Sequence, residues 1–417
     1  MGRLHVKYLL VGGGLASQSA AEAIRTIDTT GSILMLGQES VRPYHRPALS
    51  KSFLRRQRPR IELFARDAGW FNAHDIELRT GRRVVHLDVA RRAAAIDDGD
   101  DISYDHLLLA TGATARHLTI PGAELRNLFY LRTLADADML QNAIAKAKNE
   151  GRARAAVIGG GLLGIELAST LTMMGLAIDL IVGEGHPWHN IVGETTGRFL
   201  TRYLQGHGVR VHVGQRPMRL EGDGRVQRIV LSEGEPLACD FAVAAIGSVI
   251  PRELLRGTPI AAEKAILTDE RCRTNVQSVY AAGDCAAVFD PLFGKHRWID
   301  HVDNAVSTGR IAGTNMAGGE ARYDLVSTFT SEAFDLRLTV WGSPKHIERR
   351  LLRGAPTAES PDFAEIGIAA DGRVSQVVAI NGGKDHQPLR ELVRTRATVT
   401  GREDALRDAA TALPPLS

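Results

Sequence analysis

The sequence predicts an α/β chain: two Rossmann-like dinucleotide-binding domains followed by a C-terminal α+β domain. Three observations predict it. A strand–glycine–helix–strand pattern occurs twice, with its first glycines at Gly12 and Gly159, 147 residues apart and so one domain's distance. The 417 residues exceed the roughly 250–300 at which one hydrophobic core stops growing, so two or three domains are expected. Beyond Gly318-Gly319 the chain turns to short strands with no glycine fingerprint.

Taken in order, Lys7 to Val11 reads as a short apolar strand, Leu15 to Thr26 as a helix, and Ser32 to Leu36 as the next strand. Between the first two lies Gly12-x-Gly14-x-x-Ser17, with Ala16 inside it. The first glycine makes a tight turn, the second lets backbone approach a pyrophosphate, and the third position needs a small residue where helix meets strand. The helix N-terminus then offers N–H groups to phosphate. Glu39, just past the second strand, is the natural acid for ribose hydroxyls. Leu107 to Gly112 is a buried strand ending in glycine, and Ile120-Pro121-Gly122 is a turn. The second unit comprises strand Ala155 to Ile158, the complete fingerprint Gly159-x-Gly161-x-x-Gly164-x-Glu166, helix Leu162 to Met174 and strand Ile178 to Val182. Strands Phe241 to Ile246 and Val279 to Ala282 end in Gly247 and Gly283-Asp284. In the last domain Arg337 to Trp341, Phe363 to Ile368 and Val374 to Ile380 read as strands, and Pro388 to Arg394 as a helix.

Composition excludes several classes. A formal charge of +3 is small for this length and argues against a nucleic-acid binder. The three cysteines, Cys239, Cys272 and Cys285, have neither redox-dithiol nor zinc spacing, so no metal site is expected. Sparse cysteine suits a reducing cytoplasm. No stretch approaches the roughly 20 apolar residues that span a bilayer, and Tyr8 to Val11 is too short for a signal sequence.

The run Pro43-Tyr44-His45-Arg46-Pro47-Ala48-Leu49-Ser50-Lys51 resembles the signature of the FAD-dependent ferredoxin reductases that serve bacterial oxygenases. Apoptosis-inducing-factor-like flavoproteins carry a similar segment. The resemblance implies the glutathione-reductase type of fold, with FAD bound by residues 1–115 and 248–325, NAD by 116–247, and a C-terminal domain over 326–417. It places Arg46 and Pro47 beside the flavin and Lys51 at its N5 edge. It aligns the ribose-binding position, acidic in several relatives, with Gln38 in place of Glu39. Ala110-Thr111-Gly112, Arg132 in Leu131-Arg132-Thr133, and Val84 match further FAD contacts. Gly283 and Asp284 match the turn that binds a ribityl hydroxyl. Val302, in His301-Val302-Asp303-Asn304-Ala305, matches a helix start facing the flavin's pyrimidine end, where the dipole would favour the anionic reduced form.

By the same resemblance Gly159, Gly161, Gly164 and Gly247 line the nicotinamide dinucleotide, and Glu166 pairs with Lys51 near the hydride path. Glu184, after the strand ending at Val182, would hold the ribose 2′-hydroxyl, which favours NADH over NADPH. His186 and His189 follow, either in a solvated loop or within reach of a 2′-phosphate. Ser50 to Arg60 contains no thiol, so the electrons are expected to leave without a redox disulfide. The expected acceptor is an acidic [2Fe–2S] ferredoxin, and the protein a monomer or weak homodimer. Arg55, Arg56, Arg58 and Arg60 form either a steering patch for that partner or an exposed charged turn. The family's flavin-shielding tryptophan is replaced by Thr330 in Phe329-Thr330-Ser331-Glu332. That replacement leaves a second reading, an NADH oxidase or diaphorase using oxygen or quinones, or a slow redox sensor.

Overall fold

The computed structural model describes residues 4–413 apart from 152, 358–360 and 383–384. It divides into two compact units, each drawn from three stretches of chain: residues 1–47, 59–114 and 248–325, and residues 48–58, 115–247 and 326–417.

The first unit is built on a seven-stranded sheet. Ile76–Thr80, Ile33–Gly37, Leu4–Val11, Asp101–Leu109 and Val279–Ala281 run parallel. Ala93–Ile96 and Val84–Asp88 complete it antiparallel. Its central strands carry continuous apolar runs, and Leu9, Leu107, Leu108 and Leu109 are fully buried, as a sheet covered on both faces requires. Helix Leu15–Arg25 packs on one face together with helix Val302–Met316.

In the second unit a five-stranded parallel sheet has the order Arg210–Val213, Ala177–Val182, Arg154–Ile158, Phe241–Ala244, Leu128–Phe129. Helix Leu162–Met173 follows its central strand. A three-stranded antiparallel sheet, Pro217–Glu221, Arg228–Leu231 and Leu237–Ala238, is inserted before the last long strand. Residues 328–380 form a five-stranded antiparallel sheet, backed by helix His386–Arg394. Two of its strands, Thr328–Ala333 and Ile347–Arg353, were not anticipated. They are the sheet's edges, with charged and hydroxyl residues alternating among apolar ones, so neither shows an apolar run.

Candidate functional site

In the first unit the elements converge on the glycine turn. Gly12 adopts φ +140°, and a Cβ there would collide with the Ala110 carbonyl, so the turn sits directly on the end of strand Asp101–Leu109. Around Gly14 the space is open, with nothing within 4 Å of where a Cβ would stand. Gly14 is the N-cap of helix Leu15–Arg25 and supplies no side-chain cap, which leaves the helix's first N–H groups for an anion. Ser17 Oγ is buried and has no partner among the described residues. Ala16 is hemmed in: its carbonyl abuts Gly309 of the second helix, and a Cβ on Gly283 would come within 3.1 Å of its own. Residues near 14, 283 and 302 are thereby brought together by small side chains. The open space at Gly14 and the uncapped helix N-terminus beside it fit the pyrophosphate of a dinucleotide.

The Gly283–Asp284 turn is fixed from two sides. Thr308 Oγ1 accepts from the Gly283 N–H (2.9 Å), and the Trp298 indole N–H donates to the Asp284 carbonyl (2.7 Å). Helix Val302–Met316 starts at His301 with no side-chain cap. Arg46 donates to Glu39 Oε1 (2.6 Å) and to the Tyr44 hydroxyl (2.8 Å), while Tyr44 donates to Glu39 Oε2 (2.7 Å). Burial lowers the Arg46 pKa, but Tyr44, Glu39 and Asp284 raise it by more, so the guanidinium is held firmly charged. Glu39 is thus committed to its own loop, whereas Gln38 and Pro47 are exposed. Ala110 is buried, Gly112 turns at φ +69°, and Thr111 lies between them. The Val84 side chain is spent on the core beneath.

In the second unit Gly159, with φ +121°, is pressed on the Ala245 carbonyl, and Gly164 leaves no room for a Cβ against Gly159. Gly161, the N-cap of helix Leu162–Met173, again faces open space. On that helix Glu166 is buried and fully bound. Its Oε2 accepts from Ser50 Oγ (2.6 Å), its Oε1 accepts from Ser331 Oγ (2.8 Å), and Lys51 Nζ stands 3.1 Å from Oε1. The carboxylate and ammonium are both largely withdrawn from water, with side-chain exposures of 11% and 17%. Such a pair persists only with its remaining lone pairs satisfied, and the two serines do that.

Arg132 precedes helix Leu134–Asn149, its N–H donating to Asp136 in the capping box. Gly247 turns at φ +104° and accepts from the Arg116 N–H. Glu184 is exposed past the strand's end, but His186 is buried against Gly197, and only His189 faces solvent. Of the arginine run, Arg55 packs on helix Leu162–Met173, its Nη1 3.5 Å from Met173 Sδ, and Arg56 is exposed at φ +58°. Arg60 belongs to the first unit. Thr330 is exposed and its neighbour Ser331 buried.

Sequence reasoning missed Ser50, Ser331 and Trp298. A serine at a buried position of an alternating strand is a usable signal, because its hydroxyl needs a partner. All three cysteines are buried and unpaired. Burial pushes the Cys239 thiol up to about 12 and raises Cys272 and Cys285 as well. Among the described residues no helix is long and apolar enough to cross a membrane.

Residues 6–309 match the family described as pyridine nucleotide-disulphide oxidoreductase, and residues 329–417 match a reductase C-terminal domain. The chain is similar to the biphenyl dioxygenase system ferredoxin–NAD(+) reductase component of Paraburkholderia xenovorans, 31% identical with 94% of each chain covered. It is equally similar to rhodocoxin reductase of Rhodococcus erythropolis, 31% identical over 95% of this chain and 91% of the relative. Among solved structures it resembles the ferredoxin reductase of the CYP199A2 system from Rhodopseudomonas palustris (TM-score 0.90, 28% identity, 98% of each chain). It also resembles the reductase in the covalent putidaredoxin reductase–putidaredoxin complex (TM-score 0.91, 26% identity, 98% of this chain and 97% of the other).

Proposed function

The chain belongs to the pyridine nucleotide-disulphide oxidoreductase family, and from that premise we infer that it is an FAD-dependent NADH oxidoreductase passing electrons to a [2Fe–2S] ferredoxin-type carrier. One observation carries the reading beyond the family: two glycine cradles coexist with three thiols that are buried, unpaired and raised in pKa. A thiol of that kind is neither a nucleophile nor a redox shuttle, so the electrons leave from the flavin itself. Relatives named as ferredoxin–NAD(+) reductase components and as putidaredoxin's partner support the carrier class. Unpaired cysteines suit a cytoplasmic site of action.

The bound dinucleotides supply the redox chemistry, a hydride step that needs no protein acid or base. The protein's part is to bind and orient. Residues 1–115 with 248–325 hold FAD, 116–247 hold the nicotinamide dinucleotide, and 326–417 form the C-terminal domain. Gly12, Gly14 and the N-terminus of the first helix take the FAD pyrophosphate, Asp284 a ribityl hydroxyl, and Val302 the flavin's pyrimidine side. Gly159, Gly161 and Gly164 take the second pyrophosphate. Lys51, fixed by Glu166, stands at the flavin edge; this assignment rests on the resemblance.

Anaerobic rapid mixing of the NADH-reduced holoprotein with an acidic [2Fe–2S] ferredoxin, against air-saturated buffer in parallel, tests the reading. Fast reoxidation by ferredoxin and slow reaction with air is the expected result. Ferredoxin inert and oxygen fast would replace it with an oxidase.

A further inference from the structure

In a dinucleotide-binding unit the end of the strand after the fingerprint helix faces the adenosine ribose, and the side chains there decide whether a 2′-hydroxyl or a 2′-phosphate is accepted. In this chain that strand is Ala177–Val182, and the residue just past it is Gly183. No side chain of the strand's own occupies the position. Arg216 occupies the space beside it: its Cγ and Nε lie 3.6 Å from where a Cβ on Gly183 would stand.

Arg216 is 33 residues further along the chain, beyond strand Arg210–Val213, and its placement is well fixed. The Gly214 N–H donates to the Glu184 carbonyl (2.8 Å) and the Gln215 N–H to the Val182 carbonyl (3.1 Å). Arg216 N–H donates to Ser232 Oγ (3.2 Å), and the Ser232 N–H donates back to the Arg216 carbonyl (2.9 Å). The turn is therefore stitched to the strand end on one side and to strand Arg228–Leu231 on the other. Within that hydrogen-bonded turn Arg216 is exposed and has no carboxylate partner among the described residues. An arginine held this way presents a bidentate cation to solvent at the ribose end of the site. Glu184, also exposed, offers the opposite chemistry one residue beyond Gly183.

We propose that Arg216 gives this site a binding position for the 2′-phosphate of an adenine dinucleotide, so that the chain takes NADPH as well as NADH. Glu184 serves the 2′-hydroxyl and Arg216 the 2′-phosphate. The inference rests on the reading of the second glycine turn as a nicotinamide dinucleotide site.

ADP-ribose and 2′-phospho-ADP-ribose separate the two, because neither can reduce a flavin and both read binding alone. They are titrated calorimetrically into the FAD-loaded protein, wild type, Arg216→Gln and Arg216→Lys. The wild type is expected to bind the 2′-phosphorylated ligand at least as tightly as ADP-ribose, with the advantage shrinking at high salt. Arg216→Gln should weaken the phosphorylated ligand by about tenfold or more and leave ADP-ribose within about twofold. Arg216→Lys should recover part of the loss. An unchanged ratio in Arg216→Gln overturns the proposal. So does an equal loss of both ligands, which would make Arg216 a platform for the adenine ring. If the wild type binds neither ligand, the dinucleotide reading of the second glycine turn itself falls.

Discussion

Glu166 is bound by an ammonium and two hydroxyls, and each removal has its own expected cost. Glu166→Ala strips Lys51 of its partner and leaves Ser50 and Ser331 without an acceptor in a buried place. Flavin reduction by NADH should slow by roughly tenfold or more, the equivalent of one lost charge-assisted hydrogen bond, while bound FAD is retained. Stopped-flow absorbance and the flavin-to-protein absorbance ratio check both parts; an unchanged rate would remove the pair from the hydride path. Asp179 presents a different balance. Burial pushes its carboxyl up, but hydrogen bonds from Arg210 and His212 push it down by more, so its native pKa lies below the usual carboxylate range. Such a group contributes stability above its unfolded pKa of about 4, and the contribution disappears as the pH falls through the lowered native value. Asp179→Asn should cost about 1–3 kcal/mol at neutral pH and flatten the acid limb of a stability–pH curve. The figure is at the modest end because Arg210 is half exposed. The Lys51–Glu166 contact spans 115 positions of sequence, and nothing local announces it; only the resemblance points to it. Ser331 and Arg216 were illegible for the same reason, since each acts across a fold the sequence does not display.

Between elements, helix Leu15–Arg25 packs closely on helix Val302–Met316. Gly309 and Gly313 face the carbonyls of Ala16 and Ala20, and an added Cβ at either would strike them. Gly313→Ala should therefore force the helices apart at a cost of about 1–3 kcal/mol. Gly309→Ala, beside the glycine turn, should in addition weaken FAD binding; thermal melts and flavin release on dilution distinguish the two effects. The legible strands were those buried along most of their length, because that burial gives them continuous apolar runs. They are the central parallel ones, such as Leu4–Val11 and Arg154–Ile158, and the inner antiparallel ones of the last sheet. The outlying parallel strands Ile76–Thr80, Arg210–Val213 and Leu128–Phe129, more exposed, were not legible. The observed ends differ by a few residues, as with Leu4–Val11 against Lys7 to Val11, where Leu4 and His5 pair in the sheet but are exposed, and the buried Val6 stands alone between them and Lys7. The edge strands of the last sheet and the inserted antiparallel sheet were not legible. Their half-exposed residues, such as the Ile347–Arg353 run, carry charge where a core strand would carry apolar side chains.

At the scale of the molecule each unit is assembled from distant stretches. In the second, the buried Glu365 of the last sheet accepts from the Gly193 N–H (2.8 Å), from Thr196 Oγ1 (2.6 Å) and from Arg350. Glu365→Ala leaves the arginine uncompensated and should cost about 3 kcal/mol, seen calorimetrically as an earlier unfolding transition. The first unit's sheet has a consequence for how the protein is made. The outer edge of Leu107–Leu109 is completed by Val279–Ala281, about 170 residues later in the chain. At about 5–20 residues per second of synthesis, that apolar edge waits on the order of ten to thirty seconds for its partner. Unpaired strand edges invite association with other chains. Slower translation or scarce chaperones should therefore divert this protein into aggregates during synthesis, even though its finished sheet is fully paired there.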